Sequence, residues 1–132
     1  MQTLWSDVLN VGFGDMDDQH KVLVNYLDQL VNEGQERGAE AIATILAGLG
    51  AYVGYHFSYE EKQMDEFNYP DSAKHKKEHE NFGVQVAAAL EKYKGGEFSL
   101  DELIAFLKNW LVKHILVRDR ILATYLLEQT KA

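Results

Sequence analysis

Every histidine in this chain lies in an apolar stripe of helical period, and that placement constrains the fold more than any other feature. The five are His20, His56, His75, His79 and His114. An imidazole turned into a core needs a partner, because a buried polar group without one costs free energy. Two carboxylates keep the histidines company. Glu60 follows His56 by four residues in HFSYE, and Asp119 follows His114 by five in HILVRD. His75 and His79 make a second four-residue pair in HKKEH. Residues four apart on a helix are separated by about 40° around its axis and one turn along it. Each such pair therefore presents both of its donors to one point.

The stripes outline four helices. Only one proline, Pro70, interrupts a chain rich in good helix formers. The first 14 residues, with Gly12 and Gly14, read as an irregular arm with Trp5 and Phe13 packed on the body. A first helix is expected from about Asp17 to Glu36, its stripe being His20, Leu23, Val24, Leu27, Leu30 and Val31. A second runs from about Ala39 to Phe67 and is stopped by Asn68, Tyr69 and Pro70. Its inner face carries Ile42, Ile45, Leu49, Tyr52, Val53, His56, Glu60 and Met64. Gly48, Gly50 and Gly54 within it mark either close helix packing or room beside a cofactor. The third helix starts near Asp71 or Ser72, carries His75, His79, Phe82, Val86, Ala89, Leu90 and Tyr93, and ends at Gly95 and Gly96. Ser99 with Glu102 is a capping box that opens the fourth, which bears Leu103, Phe106, Leu107, Trp110, His114 and Val117. Ile121 to Leu127 forms a short terminal helix or a continuation. Short loops between such helices imply an all-α, up-down-up-down four-helix bundle, with residues 1–132 forming a single domain.

Imidazole nitrogens and carboxylate oxygens are the donors that hold first-row transition metals such as iron. Seven exceed the four of a tetrahedral zinc and suit two five- or six-coordinate ions. Asp119 fits less simply, because five residues on a straight helix place it about 140° from His114. The spacing predicts that the fourth helix bends, ends or bulges between the two. The bland alternative for Asp119 is a solvated helix-end residue beside Arg118 and Arg120.

Composition excludes several other chemistries. A net charge of −8 without a basic stripe argues against nucleic acid. With no cysteine there is no disulfide, iron–sulfur cluster or thiol catalysis. The opening MQTLWSDVLN lacks a signal-peptide layout, and no uninterrupted apolar run suggests a membrane span. A cytoplasmic protein is the expectation.

The stretches DDQHK, HFSYEE, HKKEH and WLVKHILVRD resemble the hemerythrin family, particularly its single-domain bacterial members, from about Trp5 to Asp119. The resemblance implies a non-haem di-iron centre. His75, His79 and His114 would bind one iron, His20 and His56 the other, and Glu60 and Asp119 would bridge them together with an oxo or hydroxo group. It further implies dioxygen as the ligand, at an open position on the iron with two histidines. Two ferrous ions, two carboxylates and one hydroxide sum to about +1 by formal counting, a modest charge for a dry pocket. Leu23, Phe57, Phe82, Leu111 and Ile115 are candidate wall residues as well as ordinary core. Glu61 and Lys21 read as solvated, and Tyr59 as pointing sideways from the metals.

Carboxylate-rich di-iron sites of the ferritin type place a Glu three residues before a histidine on each of two helices. No histidine here has one; Asp17 before His20 is the nearest approach. The expectation is therefore a binding protein rather than an enzyme, holding dioxygen reversibly for storage, transport or delivery to an oxygen-consuming enzyme. Alternatives are an oxygen- or redox-sensing domain with a signalling partner, and a di-iron enzyme acting on peroxide or nitric oxide.

Overall fold

A computed structural model of the chain describes residues 9–130, without the side chains of Gly34, Gln35 and Arg37; the packing expected of Trp5 lies outside the described residues. The elements are α1 (Gly14–Arg37), α2 (Ala39–Glu66), α3 (Ser72–Lys94), α4 (Leu100–His114), a π-helical turn (Ile115–Asp119) and α5 (Arg120–Gln129). Helix α1 packs against α2 and α4, and α3 against the same two, closing an antiparallel four-helix square. Among the described residues there is no strand.

The connections are short because residues of the right conformation stand at each corner. A single residue, Gly38, joins α1 to α2 at φ 87°, a left-handed angle that glycine adopts without a Cβ penalty. Asn68, at φ 54°, turns the chain after α2. The capping box forms as expected. Ser99 Oγ accepts from Glu102 N, and the Glu102 carboxylate accepts from Ser99 N, both at 3.1 Å.

Helix α1 begins at Gly14, earlier than its stripe suggests. Asp17 is not the start but a clasp. Its carboxylate accepts from Val11 N at 2.7 Å and from Gly12 N at 3.1 Å, tying the N-terminal arm to the first turn. Leu9 and Val11 of that arm are buried.

The core follows the predicted stripes. Leu23, Val24, Leu27 and Leu30 of α1, Ile42, Ile45, Leu49 and Met64 of α2, and Phe82 and Ala89 of α3 are all buried, as are Leu103, Leu107 and Leu111 of α4. Val117 departs from the expectation, being 45% exposed. The π turn causes this. Its wider i→i+5 coil rotates the inward positions from Val117 and Ile121 to Ile115, Asp119 and Leu122, each of which has no exposed surface.

Helix α2 is, among the described residues, the one helix long and apolar enough to cross a membrane by length and composition. Its inner face is committed to the bundle, carrying buried His56 and Glu60 toward the other helices.

Candidate metal centre

All seven sequence-selected residues meet in the interior near one end of the bundle, and all are buried. Helix α1 brings His20, α2 brings His56 and Glu60, α3 brings His75 and His79, and α4 with its π turn brings His114 and Asp119. The expected distortion between the last two is the π turn itself. Pairing residues five apart, it places Asp119 on the same face as His114, with Oδ1 3.0 Å from His114 Nε2.

Every ring turns Nε2 inward. Nε2 of His20 and His56 are 3.1 Å apart, and those of His79 and His114 are 3.2 Å apart. Glu60 reaches both groups, with Oε2 3.0 Å from His56 Nε2 and Oε1 3.0 Å from His79 Nε2. Asp119 does likewise, with Oδ2 2.8 Å from His20 Nε2 and Oδ1 3.2 Å from His75 Nε2. The donor atoms thus form two overlapping sets. One holds His75, His79 and His114, the other His20 and His56, and Glu60 and Asp119 belong to both.

This donor chemistry fits first-row transition-metal ions such as iron. Glu60 Oε2 and Asp119 Oδ1 are buried and accept no aligned hydrogen bond despite their short contacts to imidazole nitrogen. Lone pairs aimed at shared points, and not at one another's protons, are what metal ligands require. The charges agree. Burial opposes a proton on His56 and on His114, yet Glu60 and Asp119 more than offset it, raising them to about 9 and about 10. Burial likewise opposes charge on Glu60 and Asp119, but the surrounding imidazoles hold both well below the usual carboxylate range. A site that attracts protons this strongly attracts other cations.

Outer partners orient two of the rings, as metal-bound histidines generally need. His56 Nδ1 donates to Gln19 Oε1 at 2.7 Å, and His79 Nδ1 donates to Glu61 Oε2 at 2.9 Å. Glu61 is therefore not simply solvated, which corrects the sequence reading. The residue after Glu60 looks outward on a helical wheel, but the third-helix ring leans across to meet it. Gln19 was not singled out by the sequence at all, although its position directly before His20 in the DDQHK stretch was the available signal. His20 Nδ1, by contrast, is buried without a hydrogen-bond partner.

The wall is more aromatic than the sequence reading suggested. Phe57 lies flat on His79, with ring centres 3.7 Å apart, and Trp110 stacks on His114 at 4.5 Å. Phe82 stacks in turn on Trp110 at 3.6 Å. Leu23, Leu111 and Ile115 are buried as expected. Tyr59 points away, its hydroxyl donating to Asp15 at 3.1 Å.

Comparison with known proteins agrees with this geometry. Residues 11–126 match the family model described as the hemerythrin HHE cation binding domain. A bacteriohemerythrin of Stenotrophomonas maltophilia (strain R551-3) is 33% identical over 98% of this chain and 82% of its own length. One of Pseudomonas aeruginosa (strain LESB58) is 37% identical over 85% of this chain and 73% of its own. The crystal structure of a wild-type hemerythrin superposes with a TM-score of 0.83 at 29% identity, covering 96% of this chain and 98% of that one. By sequence and by fold, this chain belongs to the hemerythrin family.

Proposed function

We propose that this chain binds dioxygen reversibly at a pair of iron ions, as a carrier or store and not as an enzyme. The observation that carries the reading is the unequal division of donors around shared carboxylates. His75, His79 and His114 stand on one side, only His20 and His56 on the other. A metal held by the first set would be richly ligated, and one held by the second would retain a position for an exogenous ligand. When bound, the iron pair supplies the electrons that dioxygen takes up and returns.

The chain's own residues do the rest. Glu60 and Asp119 would be shared between the two ions, and neutral imidazoles would complete a ligand set poorer in carboxylate than that of ferritin-like sites. Leu23, Leu111, Ile115, Phe57 and Trp110 keep bulk water away, which slows proton delivery and loss of the bound ligand.

Elemental analysis with optical titration tests the reading. The purified protein should carry two irons per chain. Reduced anaerobically and opened to air, it should develop a visible charge-transfer band that fades under argon and returns with air. One metal per chain, or a single irreversible conversion to the ferric form, would refute it. The second outcome would favour a sensor or an enzyme.

A further inference from the structure

Between α2 and α3, on the flank of the bundle, lies a cavity of about 310 Å³ that reaches from solvent to the core. Its depth separates it from a surface groove. Leu27 of α1 and Leu107 and Leu111 of α4 line its floor, so all four bundle helices contribute, and these three leucines are buried. Its rim is made of glycine. Gly50 and Gly54 on α2 and Gly83 on α3 are exposed, and a Cβ at any of them would meet nothing within 4 Å. The α2 glycines therefore divide by function. At Gly48 a Cβ would lie 2.7 Å from the Tyr26 ring, a matter of close packing, whereas Gly50 and Gly54 leave the cavity open.

We propose that this cavity is a binding site for an uncharged aliphatic small molecule. Three observations set that class. First, the volume lies in the range of small-molecule sites, roughly 300–1,000 Å³, and equals about ten water molecules of liquid, far more than a diatomic gas needs. Second, of the side chains that line it, only that of His79 is polar, and its Nδ1 is already engaged by Glu61. Third, no Asp, Glu, Lys or Arg occurs on α2 from Ala41 to Tyr59 and none lines the cavity, where the one basic ring, His79, is already paired with Glu61, so a carboxylate or ammonium headgroup would find no free counter-ion there. The depth argues against a protein partner or second copy, which would cover the mouth without filling the floor.

The test is calorimetric titration of 1-hexanol into the purified protein, with hexanoate as the charged comparison and Gly54→Leu and Gly83→Leu as filled variants. It can be run whatever metal the protein carries, so its outcome is separate from the dioxygen reading. Wild type should bind hexanol saturably at one site and hexanoate at least ~tenfold more weakly. Each leucine variant should also bind hexanol at least ~tenfold more weakly. Leucine is a better helix former than glycine and has room, so both variants should fold and melt no lower than wild type. No saturable hexanol binding, equal binding of hexanoate, or undiminished binding in folded variants would overturn the proposal. So would a wild-type dimer that the variants dissociate, since the face would then be covered by a second copy.

Discussion

Replacing Gln19 with leucine removes the carboxamide whose oxygen accepts from His56, and its effect should fall on the metal-loaded state. Gln19 is 7% exposed and His56 1%, so water cannot take the place of the lost acceptor. In the metal-free variant above about pH 9, where His56 is neutral, the ring can keep its one proton on Nε2, facing Glu60, and leave Nδ1 bare. A metal at Nε2 forbids that. Nδ1 must then carry the proton, buried and unpaired, at a cost of about 1–3 kcal/mol. At 1.4 kcal/mol per factor of ten, the loss of affinity is about 5- to 150-fold, which brackets the 10–100-fold typical of outer partners of metal-bound histidines. Glu61→Gln supplies the contrast. Glu61 is 36% exposed, and its amide oxygen or a water can still accept from His79 Nδ1, so the loss should stay below about fivefold. Competition for ferrous or cobaltous ion against a chromophoric chelator, anaerobically and at one pH above about 9, measures both. A Gln19→Leu affinity within twofold of wild type, or an equal loss in Glu61→Gln, would refute this argument.

Three further outcomes follow from the geometry. In the metal-free protein, His56 and His114, raised to about 9 and about 10, contribute stability that is whole below about 6.5, the unfolded value, and is lost as pH rises through those values. Glu60 and Asp119, lowered, contribute above about pH 4.5 and lose it in acid. Urea unfolding across pH should therefore show greatest stability at about pH 5–6.5, and a curve still climbing at pH 9 would contradict it. Metal must displace those same protons, so metal affinity measured by competition should rise from pH 6 to pH 8. In a urea series, Gly50→Ala should gain about 0.5–1 kcal/mol from helix propensity, whereas Gly48→Ala should show no such gain because the Tyr26 ring must move. Ser99→Ala should cost about 1 kcal/mol by uncapping α4, read as a lower melting temperature.

Much of this molecule was visible in one dimension. The helical period assigned each histidine to an inward face, the capping box marked the start of α4, and the five-residue gap from His114 to Asp119 required a break in the helix. These are local matters. Backbone hydrogen bonding ties azimuth to residue number, so a sequence carries the face on which each side chain stands. Which residues touch across helices is another question. The π form of the break, the exposure of Val117 that follows from it, and the reach of Glu60 and Asp119 into both donor sets depend on how the helices are rotated and spaced. So do the bonds from His56 to Gln19 and from His79 to Glu61, the ring stacks of Phe57 and Trp110, and the cavity behind Gly50, Gly54 and Gly83. An ångström of helix displacement makes or breaks each of them, and only close packing of the whole bundle decides that displacement.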